Sequence, residues 1–454
     1  MTAGDIAEAR PLRRVRWESL TGGGVILQDE SYRRLWLARL ASHTALNAVL
    51  YTLLVLAVGE GGGASIKSAL FISAYLIPTA TLGTFSGVIV DRLPKHLVLC
   101  AINIARVGLM LILIMSSAGL WTVYGVALLI AVTSQFSAPA EAAALPQVVP
   151  QDQLTTANST NNFGGLLSQI AGFTLLAPVF LNTVGPRPLF FASMVLFTIG
   201  AVLFLSIKRL GERQVDIDHV VDAVRDVRRE FASAWERLGD DTLAYMSVII
   251  SVLASTASLV AVTLMPKFTQ DVLDIPVRNA IYIFLPAALG IVTGLRVVHW
   301  MERRASMAWL VGAGFALLVL SFLGLAMTRP FGTTIASMNL FGLFSPGPLD
   351  ETAARIFVAI AFSTLAAFSF SLVGVASRSA VNQRIPIEIQ GRVFAAQVVL
   401  TNLASIPPIL LAGLLSELSG VAPVMVLTVV ILVSAAGWTL AQALSKERLR
   451  AEAR

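Results

Sequence analysis

Twelve apolar runs, each about twenty residues long, constrain this chain more than any other feature. They start near Leu35, Ile66, Leu97, Trp121, Ala157, Leu189, Leu243, Val277, Ala305, Thr352, Val393 and Val421. A hydrocarbon core about 30 Å thick is crossed by roughly 20 helical residues, so each run is long enough to span a bilayer. In that solvent the backbone must satisfy its own hydrogen bonds, which leaves only helices and closed barrels. A barrel would show short alternating segments, and none are present. The pattern predicts an all-α integral membrane protein of twelve transmembrane helices. Composition agrees: 56% of the 454 residues are hydrophobic and 13% are charged, against about 25% charged in soluble domains.

Charge placement predicts orientation. If the N-terminus is inside, 25 of the 33 Lys and Arg fall in the tail, the central segment, the even-numbered inner turns and the C-terminus. The outer connections hold Lys67, Arg187, Lys267, Arg278 and Arg329, and Arg39, Arg106 and Arg355 stay within spans. This positive-inside bias places both termini in the cytoplasm of a multi-pass cell-membrane protein, the plasma or inner membrane. The basic tail with Arg10, Arg13, Arg14 and Arg16 is followed by no apolar run with a small-residue cleavage site, so it reads as a tail rather than a signal peptide. Net charge is +6, yet its distribution tracks the membrane and argues against nucleic acid as a partner. The lone Cys100 and the scattered His43, His96, His219 and His299 show no ligand spacing, so no metal site and no cofactor is expected.

The chain divides into a tail over 1–34, a six-helix half over 35–207, a linker over 208–241, a second six-helix half over 242–444 and a C-terminal tail over 445–454. Within the linker, Ile217, Val220, Val221, Val224, Val227, Phe231, Trp235 and Leu238 recur at helical spacing opposite Arg225, Arg228, Arg229, Glu230 and Glu236. That pattern predicts an amphipathic helix at the inner membrane face. The halves look like degenerate copies: Val149-Pro150-x-Asp152 parallels Ile385-Pro386-x-Glu388, and Gly83 and Gly87 parallel Gly290 and Gly294. The two offsets differ, which points to an insertion between helices 9 and 10 over 328–350, on the outside. Such pseudo-repeats are typical of transporters, with the substrate site between halves.

Between the second and third runs lies a charged turn, Gly87-Val88-Ile89-Val90-Asp91-Arg92-Leu93-Pro94-Lys95-His96. It resembles the G-x-x-x-D-R-x-G-R-K loop of the major facilitator superfamily. Gly87, Asp91, Arg92 and Lys95 match; Pro94 replaces the second glycine and His96 the last basic residue. Phe136-Ser-Ala-Pro139-Ala140, Leu145-Pro146-x-Val148-Val149-Pro150, Leu154-x-x-Ala157-Asn158 and Gln383-Arg384-x-Pro386-x-Glu388-x-x-Gly391-Arg392-Val393-Phe394-Ala395 further resemble the branch containing macrolide efflux pumps and the enterobactin exporter. The resemblance covers roughly 32–444. It implies an acid at Asp91 that faces the N-terminus of helix 11, expected at Gly391-Arg392, and holds the inner gate shut. A carboxylate is favoured there by about 0.3–1 kcal/mol. The expected gate is therefore Gly87, Asp91, Arg92, Lys95, Glu141 and Arg392, with Glu141 ending helix 4 near Arg92.

Polar residues inside spans mark the remaining candidates. Asn47 and Tyr51 on helix 1, Arg106 on helix 3, Asn158, Asn162 and Gln169 on helix 5, and Asn402 on helix 11 are the candidate substrate cavity. Such amides either face a wet cavity or bond helix to helix. Arg39 is expected to snorkel, and Arg355 to pair at the outer end of helix 10 beside Asp350 and Glu351. Superfamily antiporters usually carry a Gly-Pro pair in helix 5, where this chain reads Ile170-Ala171-Gly172-Phe173. No Asp or Glu falls at the middle of a predicted span, so His43, with an unperturbed pKa of about 6.5, is the candidate for coupling to protons.

These features predict a secondary transporter working by alternating access that exports a small amphiphilic molecule, a drug-like compound or metabolite, and not an enzyme. The alternatives are a siderophore or lipid exporter, and a non-transporting sensor or assembly factor on a transporter fold.

Overall fold

The computed structural model describes residues 26–59, 62–116, 119–207, 238–239, 241–301, 304–338 and 350–452. The long helices are α1 (Glu30–Val58), α2 (Ala64–Asp91), α3 (Lys95–Met115), α4 (Leu120–Val148), α5 (Gln151–Thr183), α6 (Pro186–Leu205), α7 (Thr242–Asp271), α8 (Ile281–Met301), α9 (Met307–Ala326), α10 (Glu351–Arg384), α11 (Ile387–Ser419) and α12 (Val421–Glu452). Eleven are long and apolar enough to cross a membrane, and α8 contributes a shorter apolar stretch over Pro286–Val298. The protein is an all-α membrane protein of twelve helices in two six-helix halves, α1–α6 and α7–α12. Each expected apolar run falls on one of them.

Local chemistry sets the helix ends. Asp29 accepts the Tyr32 amide at 3.0 Å to start α1, and Asp241 accepts the Ala244 amide at 2.8 Å to start α7, the usual use of a side-chain acceptor at a helix N-terminus. Gly420, at φ 84, is the single residue between α11 and α12, a left-handed conformation that a side chain would oppose. Proline is tolerated inside α2 (Pro78), α4 (Pro139, Pro146), α7 (Pro266) and α11 (Pro407, Pro408) because neighbouring helices re-satisfy the freed groups.

Close helix packing uses small residues, as expected where lipid supplies no hydrophobic drive between helices. A Cβ on Gly172 of α5 would stand 2.5 Å from the Thr44 carbonyl oxygen of α1, and one on Gly413 of α11 would stand 2.7 Å from Ala69 of α2. Gly172 sits in a π-helical stretch, Ile170–Leu176, where the family Gly-Pro pair was expected.

The halves meet at one end and part toward the other. A single apolar core at one end combines Leu53, Phe71 and Met110 of the N-terminal half with Leu264, Phe268 and Ile409 of the C-terminal half. At the other end one core holds Leu35, Val90, Leu99 and Phe204, and a separate one holds Val248, Val381 and Val393. We name these the Glu417 end and the Asp91 end. The basic tail and most of the linker, 1–25 and 208–237, lie outside the described residues, as does 339–349 of the insertion. The segment expected to be an insertion begins as a short helix, Thr328–Met338, whose Gly332 rests against Arg355 of α10.

Candidate functional site

Residues at spacings of three and four share one helix face, and α1 uses this to present Trp36, Arg39 and His43 together, while α4 presents Ser137 and Glu141. These two faces meet. Arg39 Nε lies 2.8 Å from Glu141 Oε2, His43 Nε2 lies 3.1 and 3.0 Å from Glu141 Oε1 and Oε2, and Ser137 donates to Oε1 at 2.9 Å. The carboxylate is buried, while Arg39 and His43 are 25% and 36% exposed. They line a recess of about 30 Å³ against Asn161, Gly164 and Ser168 of α5, space for roughly one water. Long-range bonds seat α5 on α1: Tyr32 donates to the Ala157 carbonyl at 3.1 Å and to Asn161 Oδ1 at 3.3 Å, Trp36 to the Thr160 carbonyl at 3.1 Å, and Ser168 to the Leu40 carbonyl at 3.3 Å. Gly164 makes this possible, since a Cβ there would stand 2.7 Å from the Trp36 indole nitrogen.

This geometry corrects two expectations. Glu141 does not end its helix, because α4 continues to Val148 through Pro146, and the ion pair it forms is with Arg39 and His43 of α1. Arg39 does not snorkel away from the span; its guanidinium pairs with that carboxylate.

The candidate cavity residues are dispersed. Arg106 is buried inside the N-terminal half, donating to Thr133 at 3.2 Å and Ser134 at 3.1 Å, with its guanidinium 5.7 Å from the Phe197 ring centre. Tyr51 is also buried and reaches across the halves, its hydroxyl 3.3 Å from the Val277 and Arg278 carbonyls between α7 and α8. Asn47 backs onto Gly172, and Asn402 is buried on α11. Asn158, Asn162 and Gln169 are exposed on α5; the buried face of that helix is instead Ala157, Asn161, Gly164 and Ser168.

At the Asp91 end, Lys95 is buried and closes the turn after α2, donating to the Val90 carbonyl and, at 3.1 Å, to the Leu93 carbonyl. Asp91 and Arg392 are exposed, and Gly87 and Gly391 face open space. The start of α11 also differs from expectation: it begins at Ile387 after Pro386, with no side-chain cap, so Gly391 and Arg392 lie inside its first turns. At the other end, hydrogen bonds between described residues join the halves. They are those of Tyr51, the 3.4 Å bond from Asn182 to Asn279, and the 2.8 Å bond from the Ser65 amide to Glu417. Arg355 pairs with Asp274 at 2.9 Å and with Glu351 at 2.5 Å, the pairing expected at the start of α10.

A sequence profile of the Major Facilitator Superfamily matches residues 35–406. The chain belongs to that superfamily. Solved structures show the same fold at low identity. The nucleoside transporter NupG aligns with TM-score 0.65 and 13% identity over 90% of this chain and 98% of its own. A bacterial homolog of the human lysosomal transporter Spinster, solved in an inward-facing and unoccupied conformation, gives TM-score 0.62 and 12% identity over 91% and 97%. A POT family transporter in complex with a thioalcohol-conjugated peptide gives 0.64 and 11% over 91% and 96%. A comparison with curated proteins finds no significant match. Family and fold are those of multi-pass membrane transporters.

Proposed function

We propose that this superfamily member is an alternating-access exporter of a small amphiphilic molecule, driven by protons through the Glu141–His43 pair. It works in the cell inner membrane, with both termini and the Asp91 turn in the cytoplasm. The observation that supports coupling most is a buried carboxylate held by one permanent cation, Arg39, and one imidazole ring, His43, beside a recess that admits water. A permanent counter-ion keeps Glu141 charged while the imidazole gains or loses its proton, so the bond between α1 and α4 strengthens and weakens with protonation. That is the minimum a coupling site needs: a charge change that biases two arrangements of the helices.

The gate belongs to the same proposal. Asp91 would face the uncapped first turn of α11 when the halves close at that end, and Arg92, Lys95 and Arg392 flank it. Asn158, Asn162 and Gln169, exposed on α5, are the residues we assign to the cavity wall, together with Asn402 of α11.

Purified protein in liposomes, given a panel of labelled amphiphiles and an imposed pH gradient, tests the proposal. Gradient-driven accumulation that His43→Gln lowers more than it lowers substrate binding is expected. Glu141→Gln leaves Arg39 without its countercharge and should lose coupled accumulation outright. It should also destabilise the protein by about 2 kcal/mol, less than a fully buried pair because Arg39 is a quarter exposed. Full pH-driven accumulation in His43→Gln would eliminate the histidine route. A parent protein that ignores the gradient would eliminate proton coupling, and accumulation of siderophores or lipids alone would redirect the cargo.

A further inference from the structure

The first turn of α2 lacks a cap of its own. Gly63 occupies the capping position and has no side chain to offer, so the Ser65 and Ile66 amides need an acceptor from elsewhere. The Ser65 amide finds one in the other half of the molecule. Glu417, near the end of α11, accepts it at 2.8 Å. Its second oxygen lies 2.6 Å from Lys267 Nζ of α7. Gly413, one turn earlier on α11, permits the approach, because a Cβ there would stand 2.7 Å from Ala69 and 3.0 Å from the Ser65 carbonyl.

From this we infer that Glu417 is a latch acting in trans, a carboxylate of the C-terminal half that caps a helix of the N-terminal half and holds the halves together at that end, with Lys267 fixing its position. Two independent features make the contact more than a bundle staple. Lys267 and Glu417 both belong to the C-terminal half, so their ion pair alone cannot join the halves. The amide it reaches is an orphan donor at a helix N-terminus, where a negative charge is favoured by the dipole and a charge-assisted bond is among the stronger ones available. When the halves separate at this end, the amide and the carboxylate are both left without their partner, so the latch opposes that movement. The latch rests on the alternating-access reading for its consequence in transport; its effect on the arrangement of the halves does not depend on transport.

Spin labels at Val184 and Ser419, one exposed site in each half at the Glu417 end, report the separation in a Cys100→Ser background. A second pair at Gln151 and Asn382 reports the Asp91 end. The parent protein should show a short distance for the first pair. In E417A, which loses both partners, the population with a long first distance should rise about tenfold, as for a charge-assisted bond given up in one state. E417Q keeps an acceptor for the amide and should give a smaller rise, and K267M should fall between E417Q and the parent. The decisive variant is the charge swap K267E/E417K. It restores the ion pair and abolishes the cap, so it should remain as open as E417A. A swap that restores the parent distance would overturn the latch and leave a staple within one half. An unchanged first distance in monodisperse E417A and E417Q would overturn it as well. Liposome transport that fails in the parent, with these distance shifts intact, would instead remove the transport reading alone.

Discussion

The two ends of the α2–α11 pair differ in what holds them. At the Glu417 end, backbone approaches backbone over Gly413, a carboxylate caps a foreign helix, and a shared apolar core spans both halves. At the Asp91 end the acid is exposed, the glycines Gly87 and Gly391 face open space, and each half has its own core. The chemistry is nonetheless reciprocal. Each helix carries an acid near its C-terminus and begins with no side-chain cap: α2 with Asp91 after Gly63, α11 with Glu417 after Pro386. The difference teaches that one helix pair carries the same kind of acid at both ends, with a cross-half cap observed at Glu417. The structure shows the arrangement closed at Glu417.

The largest test of this contrast uses two glycines of one helix. Gly413→Val forces side-chain bulk into a closed seam, and overpacking of about 1–3 kcal/mol should shift the arrangement five- to 150-fold toward opening at the Glu417 end. Gly391→Ala, in open space, should change the distances less than about twofold. Equal effects from both would erase the contrast. Next in size is Tyr51→Phe. It removes a hydroxyl that reaches two carbonyls across the halves, and the loss of about 1 kcal/mol should open the same end about fivefold, read from the Val184–Ser419 labels. Asp91→Asn acts on the other end and more weakly. Removing a charge worth about 0.3–1 kcal/mol to a helix N-terminus should favour the arrangement seen here by two- to fivefold, slowing transport while insertion stays normal. No change in rate or in the Gln151–Asn382 distance would remove Asp91 from the gate. The last test sets sidedness. A cysteine introduced at Ser337, exposed on the short helix after α9, should react with an impermeant reagent from outside; protection there would invert the proposed topology.

The fold was legible because a bilayer demands about twenty apolar residues per crossing, and that demand leaves a mark no local detail can hide. The end of α4 was not. Glu141 lies five residues before Pro146, a pairing that resembles a helix end, yet tertiary packing carries α4 on to Val148. The ion cluster was half legible. Arg39 and His43 repeat at i,i+4, as do Ser137 and Glu141, but periodicity on two separate helices does not say which faces meet. Arg106 shows the opposite failure: a charge in a span suggested a wet cavity, whereas hydroxyls of α4 and the Phe197 ring satisfy it within the bundle. Glu417 carries no local signal at all, because its partners lie 150 and 352 residues away in sequence.

The placement of ionisable groups along the spans has an electrical consequence. Arg39, His43, Arg106 and Glu141 lie well within helices of the N-terminal half, while those of the C-terminal half gather near helix ends, as Lys267, Arg355, Arg378 and Glu417 do. With His43 neutral, the interior of the N-terminal half holds two positive charges and one negative. A membrane voltage is therefore expected to act more strongly on the N-terminal half. Full passage of one elementary charge through 100 mV is worth about 2.3 kcal/mol, and a rocking motion that carries the N-terminal half through even part of that field makes its resting position depend on voltage. A transient capacitive current in a planar bilayer, present in the parent and reversed in sign or lost when Arg39 and Arg106 are both neutralised, is its measurable trace.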